Sequence, residues 1–185
     1  MHRWTRPLAA ALGTLVALAG AWAADTAIKE GDKAPDVALP ATQISKVLPG
    51  KKDGDTLSLK DLKGKNVVLF FYPKAMTRGC TVESCGFRDV AADFAKLDTV
   101  VLGISTDDLA AQQQFTDKEK LNFPLLADPE KKLTRVFGAL SERGFASRYT
   151  FVIDKTGTVR KVYTTVSPAN HPAEVLEYVK TNLAK

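Results

Sequence analysis

Two long apolar runs stand out along the chain, and each is followed by a stretch with helical spacing of its apolar residues. Residues 67–72 (VVLFFY) and 98–105 (DTVVLGIS) have the β-rich composition of strands that are covered on both faces. Helices are predicted roughly over residues 81–96 and 109–120, with a shorter helix over 129–137. The middle of the chain is therefore predicted to alternate between strand and helix.

The flanking regions complete the predicted fold. Residues 25–65 are rich in Gly and Pro and are predicted to form a short hairpin and loops. Residues 148–154 and 158–166 are predicted to be two strands joined by a tight turn. The last helix is predicted to begin near Pro172, with its apolar residues on one face: Val175, Leu176, Val179 and Leu183. This order predicts an α/β fold with a mixed central sheet and helices on both faces, which is the thioredoxin-like arrangement.

The first 23 residues have the order of a secretory signal peptide. A basic start with Arg3 and Arg6 precedes an apolar stretch at 8–22, and Ala21-Trp22-Ala23 fits a signal-peptidase site. We therefore predict cleavage after Ala23, which leaves residues 24–185 as one exported domain in the bacterial periplasm, without stable membrane association. Retention of the stretch as an N-terminal anchor is the alternative, although it is short and Ala-rich for a span of ~20 residues.

Composition and charge narrow the possible chemistry. The 185 residues are 45% hydrophobic and 25% charged, as in a globular protein. Without Arg3 and Arg6, 24 basic residues stand against 21 acidic ones, and a net charge of +3 is too small to predict nucleic-acid binding. Only His171 remains outside the leader, which excludes a His-rich metal site. The two cysteines, Cys80 and Cys85, are therefore the candidates for chemistry.

Cys80 is predicted to lie at the start of a helix that packs on the sheet. A strand ends at Pro73, a loop follows, and the helix begins close to Cys80. Unpaired N–H groups and the helix dipole favour an anion at such a position. Cys80 is spaced by sevens from Phe87 and Phe94, which places it on the buried face of the helix. Cys85 falls on a more polar flank.

A reactive thiolate at a helix start also needs a cation. A free thiol has a pKa near ~8.5, and lowering it to ~6 takes about 3.4 kcal/mol. A helix terminus supplies about 0.3–1 kcal/mol, and up to ~2 kcal/mol when it is partly buried. Arg78 is near in sequence, but Arg148 at the start of an apolar strand is the better candidate, because burying an arginine there without a partner would be costly.

The spacing of the two cysteines argues against a permanent disulfide. In an intact helix, residues five positions apart have Cα atoms about 8.6 Å apart, beyond the ~7 Å that a disulfide can span. Either the helix never forms there, or it unwinds whenever the bond is made, and Gly79 and Gly86 weaken it at both ends. A switching disulfide fits this geometry better than the two alternatives, a structural bridge or an idle Cys85 thiol.

The cysteine segment carries a family resemblance. Pro73-Lys-Ala-Met-Thr77-Arg-Gly-Cys80 resembles the peroxiredoxin pattern Pro-x-x-x-Thr-x-x-Cys. The second cysteine, Cys85, is similar in its spacing to that of the bacterioferritin-comigratory-protein group, also called peroxiredoxin Q. The resemblance continues through residues 102–107, 121–128 and 148–154, and so covers almost the whole chain after the leader.

The resemblance implies a thiol-dependent peroxidase. Cys80 resembles the peroxidatic cysteine, which attacks a hydroperoxide and becomes a sulfenic acid, and Cys85 resembles the resolving cysteine, which closes an intramolecular disulfide. Thr77 and Arg148 resemble the partners of these cysteines in the active site, and Pro73 resembles the residue that shields the pocket. An external dithiol, usually thioredoxin or a thioredoxin-like protein, then reduces the disulfide.

The resemblance also bears on cofactors and assembly. It implies no metal, haem, flavin or nicotinamide, and intramolecular resolution is compatible with a monomer. The group often has Pro where this chain has Arg78, whose charge either favours the thiolate further or faces water.

Two other functions are compatible with a pair of cysteines. One is a thioredoxin-like protein disulfide oxidoreductase, although that chemistry resembles a Cys-x-x-Cys motif and here four residues intervene. The other is an exported binding or structural domain with an incidental cysteine pair. The second predicts no peroxide turnover.

Overall fold

The computed structural model describes residue 1 and residues 28–184. The predicted signal peptide, with Arg3, Arg6 and the cleavage site after Ala23, lies outside the described residues. Within the described part, no helix has the length and apolar character needed to cross a membrane.

A mixed central sheet forms the framework, which confirms the predicted fold class. In the described part of the chain the strands are β1 Leu39–Pro40, β2 Thr56–Leu57, β3 Asn66–Phe71, β4 Thr99–Ser105, β5 Leu125–Ala127, β6 Thr150–Ile153 and β7 Val159–Tyr163. The central sheet has the order β5-β4-β3-β6-β7, and β1 pairs with β2 in a separate antiparallel hairpin. β3, β4 and β5 run parallel, whereas β6 and β7 are antiparallel to their neighbours.

The helices lie close to their predicted positions. They are α1 Arg78–Lys96, α2 Leu109–Glu119, α3 Lys132–Val136 and α4 His171–Asn182. α1 begins three residues earlier than predicted. α3 begins later than predicted, because the carboxylate of Asp128 accepts hydrogen bonds from the N–H groups of Lys132 and Thr134 and so defines the helix start.

One strand was not predicted from the sequence. β5 has only three residues, and Pro124 directly precedes it, so the segment lacks the length and pattern that indicate a strand. The segment becomes a strand because it pairs with β4, and the periodicity of the sequence does not predict a contact between two separate segments.

The core has two layers, one on each face of the sheet. Every residue of β3 is buried, which confirms that its unbroken apolar run belongs to a strand covered on both sides. Val68 and Phe70 face a cluster formed with α1 and α4. Leu69 and Phe71 face the opposite cluster, formed with the β1–β2 hairpin and α3. This arrangement places the first turn of α1 directly on the sheet.

Candidate active site

The central strand of the sheet, β3, positions Cys80. β3 ends at Phe71, the chain turns through residues 72–77, and α1 begins at Arg78, so Cys80 is the third residue of the helix. The N–H of Thr81 donates to the carbonyl of Thr77 at 2.8 Å. Because this is where the helical hydrogen bonds begin, the N–H groups of residues 78–80 are left for a ligand. The start of α1 can therefore hold an anion.

The sulfur of Cys80 lies between the helix and the sheet. Cys80 is fully buried and belongs to the same apolar cluster as Phe87 and Phe94, which confirms the predicted buried face of α1. Phe87 stacks on Phe70 of β3 with ring centroids 4.6 Å apart. Water is thus largely excluded around the thiol, which strengthens electrostatic interactions there.

Arg148 supplies a positive charge next to this sulfur. Its Nη2 lies 3.3 Å from Cys80 Sγ, although the two residues are 68 positions apart in the chain. Arg148 precedes β6, and the antiparallel pairing of β6 with β3 brings it to the end of the sheet where α1 begins. Burial acts to lower the pKa of Arg148, but the charges of Glu83 and Cys80 together raise it above its usual value. The guanidinium is therefore charged and faces the thiol.

Glu83 orients Arg148 and was not identified from the sequence. Its side chain is fully buried, and Oε2 accepts a hydrogen bond from Arg148 Nη1. Burial raises the pKa of Glu83 to about 7, against the opposing effect of the Arg148 charge. Oε1 has no hydrogen-bond partner within the described residues. The spacing of three from Cys80 was an available signal, because residues i and i+3 share a helix face.

The loop before α1 places the other predicted residues around the entrance. Pro73 is half-buried and directly follows the buried Tyr72. Thr77 is exposed, and its hydroxyl donates to the carbonyl of Lys74 at 2.9 Å, so the Thr77 oxygen stays available only as an acceptor. In the described structure its side chain makes no hydrogen bond to Cys80. The structure therefore brings Cys80 and Arg148 into contact and keeps Thr77 on the loop backbone.

Asp107 fixes this loop and was also missed. Its carboxylate accepts the N–H of Ala75 at 2.8 Å and the hydroxyl of Ser105 at 2.7 Å. The next residue, Met76, has a φ of 61°, a left-handed conformation that a residue with a side chain adopts only when its surroundings hold it.

Arg78, where the chain departs from the family pattern, is exposed, which favours the second of its two predicted roles, facing water.

Cys85 lies on the opposite flank of the same helix. Both cysteines are free thiols, and both lie in the unbroken helix α1. Cys85 Sγ is 3.7 Å from Glu119 Oε2 and 3.6 Å from Arg88 Nη1. Burial raises the pKa of Cys85; the Arg88 charge opposes this increase and the Glu119 carboxylate adds to it. Since the helix is intact, a Cys80–Cys85 bond requires its first turns to unwind.

His171 lies close to this network as the first residue of α4. It is fully buried, and its Nε2 shares a hydrogen bond of 2.8 Å with the hydroxyl of Thr150. Burial, reinforced by the charge of Arg148, lowers the pKa of His171 to about 4, so the ring is neutral at physiological pH. Within residues 28–184, no three His, Cys, Asp or Glu side chains are grouped closely enough to hold a metal ion.

Sequence comparisons relate this arrangement to known proteins. Residues 30–162 match the AhpC/TSA family. The chain is 40% identical over 160 residues to peroxiredoxin Bcp of Bacillus subtilis, covering 83% of this chain and 96% of that protein. It is 38% identical over 160 residues to peroxiredoxin Bcp of Escherichia coli, with the same coverage of both chains.

Solved structures show the same similarity in three dimensions. The peroxidoxin BcpB of Mycobacterium tuberculosis superposes with a TM-score of 0.73 at 35% identity, over 84% of this chain and 98% of that one. The bacterioferritin comigratory protein of Xanthomonas campestris, solved as a trapped intermediate and ligand complex bearing on its alkyl peroxide reduction activity, superposes with a TM-score of 0.71 at 28% identity. That match covers 80% of this chain and 92% of the other.

Proposed function

This chain belongs to the AhpC/TSA family, and we propose that Cys80 attacks the peroxide and that Cys85 completes the catalytic cycle. The chain is a thiol-dependent peroxidase of the Bcp and peroxiredoxin Q type, and its substrates are hydroperoxides. One observation carries the assignment of Cys80: the buried sulfur at the start of α1 lies 3.3 Å from the guanidinium of Arg148. Cys85 differs because it is only half-buried, and because its sulfur faces the carboxylate of Glu119 as well as the guanidinium of Arg88.

Three features place positive charge at the Cys80 sulfur and hold it there. The helix start contributes up to ~2 kcal/mol in a partly buried site. Arg148 adds a charge-assisted hydrogen bond from a side chain that is only 20% exposed. Glu83 holds the guanidinium in this orientation, which reduces the entropy that Arg148 loses when it contacts the sulfur.

The same groups support the chemical step. The Cys80 thiolate attacks the terminal oxygen of the hydroperoxide, so that an S–O bond forms and the O–O bond breaks. The released alkoxide takes up a proton to become an alcohol, or water when the substrate is hydrogen peroxide. Arg148 and the free N–H of Cys80 stabilise the charge that develops on the departing oxygen. Thr77, with an acceptor oxygen at the entrance, is assigned to hold the hydrogen of the peroxide, and Pro73 to shield the pocket.

Resolution proceeds through an intramolecular disulfide. Cys85 attacks the sulfenic acid of Cys80 once the first turns of α1 have unwound, because the intact helix keeps the two Cα atoms about 8.6 Å apart. A thioredoxin-like dithiol then reduces the disulfide by exchange. Since both cysteines belong to one chain, the cycle needs no second subunit, and we assign a monomer.

A cysteine series tests the proposal. Peroxide loss is followed with a thioredoxin-like reductant for the wild type, Cys80→Ser and Cys85→Ser, and the mass of each peroxide-treated protein is recorded. We expect Cys80→Ser to be inactive, and Cys85→Ser to consume one equivalent of peroxide without recycling. Peroxide turnover that survives without Cys80 would remove the assignment.

We also propose that the enzyme acts in the bacterial periplasm after removal of residues 1–23. The basic, apolar and small-residue order of that segment supports export. An oxidising compartment requires reducing equivalents to be delivered across the membrane, so the reductant is expected to be an exported dithiol protein. The test is the N-terminal sequence of protein recovered from the periplasm: a chain that begins at Ala24 supports the proposal, and an intact chain retained in the membrane contradicts it.

A further inference from the structure

Cys85 lies with Arg88 and Glu119 in a small polar cluster that joins α1 to α2. Arg88 Nη1 contacts Cys85 Sγ at 3.6 Å and also donates to the backbone carbonyl of Glu119 at 2.6 Å, while the carboxylate of Glu119 accepts from the thiol at 3.7 Å. Glu119 is the last residue of α2, so its position is set by a different helix from the one that unwinds.

The contacts on either side of Cys85 indicate which cysteine moves. Gly86 packs so closely on α4 that a Cβ at this position would lie 2.8 Å from Cγ of Pro172. Phe87 is fully buried against Phe70, and the carbonyl of Arg88 accepts a hydrogen bond from Asn122 at 3.2 Å. From Gly86 onward the helix is therefore anchored on three sides. Unwinding of the turns before Cys85 therefore moves Cys80 toward a Cys85 that Arg88 and Glu119 hold in place.

The thiol of Cys85 must lose its proton during the attack. Burial raises its pKa, and three charged groups face it: Arg88 and Asp89 from α1, and Glu119 from α2. Arg88 acts to lower the pKa, whereas both carboxylates raise it. At neutral pH the resolving nucleophile is thus a protonated thiol that donates to a carboxylate, which is the geometry of a nucleophile and its general base.

We propose that Glu119 is the catalytic base of the resolving step, a role that rests on the function proposed above. Glu119 Oε2 accepts the proton of the Cys85 thiol as the sulfur attacks Sγ of the Cys80 sulfenic acid. The S–S bond forms, the S–O bond breaks, and the hydroxide that leaves takes the proton from Glu119 to become water. Cys80-SOH and Cys85-SH are thereby converted to a disulfide and one water, and Arg88 holds the thiol and the base together.

The experiment separates the two chemical steps in the full mature chain. Because both tryptophans, Trp4 and Trp22, lie in the leader, disulfide closure is followed by rapid quenching with a thiol-blocking reagent and mass spectrometry rather than by fluorescence. One equivalent of hydrogen peroxide is mixed with the wild type, Glu119→Gln and the matched control Asp117→Asn. Asp117 is an exposed carboxylate on the same helix that is hydrogen-bonded to Gln113.

Formation of the sulfenic acid should proceed at the same rate in all three proteins, since Glu119 is assigned no part in that step. Closure of the disulfide near neutral pH should be about 100-fold slower in Glu119→Gln, which is the low end of the range for general base catalysis, and unchanged in Asp117→Asn. The deficit should shrink as the pH approaches the pKa of the thiol, where no base is needed. In Glu119→Ala, added formate should accelerate closure, which a purely structural role would not produce.

Each other outcome contradicts a specific assignment. Removing a negative charge makes a thiolate easier to form, so closure that is equally fast or faster in Glu119→Gln, after normal sulfenic acid formation, would overturn the role of Glu119 alone. Failure of the wild type to form a sulfenic acid at Cys80 would overturn the function proposed above, and the role of Glu119 with it.

Discussion

We expect the substitution His171→Gln to remove a large part of the acid sensitivity of this fold. His171 is fully buried between three elements, with Phe87 of α1 and Tyr163 of β7 edge-on to its ring and Thr150 of β6 bonded to Nε2. The carboxylate of Glu174 lies 3.8 Å from Nδ1 and would stabilise the charged ring, but it is largely exposed. Burial and the nearby positive Arg148 outweigh it, and the pKa of His171 falls to about 4.

The magnitude follows from the difference in proton affinity between the two states. The unfolded chain takes up a proton on His171 near pH ~6.5, whereas the folded chain does so only near its lowered pKa of about 4. The free energy of unfolding therefore decreases as the pH falls through this interval, because the unfolded state binds more protons. With ~1.36 kcal/mol for each pKa unit, the wild type loses about 3 kcal/mol between these limits.

Urea unfolding of the wild type and of His171→Gln, at a series of pH values from about 4 to about 7, measures this loss. The side-chain amide of Gln can still form a hydrogen bond with the hydroxyl of Thr150, but unlike the imidazole it does not titrate. Glu83, whose pKa is raised to about 7 by burial, titrates in the same range with the opposite sign, but it is present in both proteins and drops out of their difference. The wild type should lose stability relative to the variant as the pH falls. A difference that stays constant over this range would refute the reasoning.

Two further substitutions test the site and its scaffold. Arg148→Met removes the cation 3.3 Å from Cys80 Sγ, so oxidation of Cys80 by hydrogen peroxide should slow by about 100-fold or more. Arg148→Lys, which keeps the charge but not the planar guanidinium, should give an intermediate rate. Competition kinetics measures these rates, and a change below about threefold would contradict the role of Arg148. Gly86→Ala places a Cβ 2.8 Å from Pro172, and the resulting overpacking of about 1–3 kcal/mol should exceed the ~1 kcal/mol gain in helix propensity. Thermal unfolding should show a lower Tm. A higher Tm would contradict this prediction, because it would mean that α1 and α4 adjust to the added Cβ at little cost in free energy.

Local patterns were sufficient for the scaffold of the site. The unbroken apolar run of β3 indicated a strand buried on both faces, because a strand that meets solvent on one side alternates instead. The spacing of Cys80, Phe87 and Phe94 placed the first cysteine against the sheet, because side chains that recur at helical spacing share one face. Both patterns depend only on residues close together in the sequence, and the folded protein confirms both predictions. The distance between Cys80 and Cys85 in a helix also follows from local geometry alone.

The partners of the cysteines were decided by the tertiary structure. Arg148 was suspected because an unpaired arginine is costly to bury, yet only the pairing of β6 with β3 puts it 3.3 Å from a sulfur that is 68 positions away. Glu83 bonds to Arg148 across 65 positions, and Glu119 reaches Cys85 across 34. Periodicity tells which face of an element is buried, but it does not tell which element covers that face. For that reason the sequence by itself determined where the reactive thiol lies, and only the order of the strands and the packing of α1 against α2 and α4 decided which charges surround it.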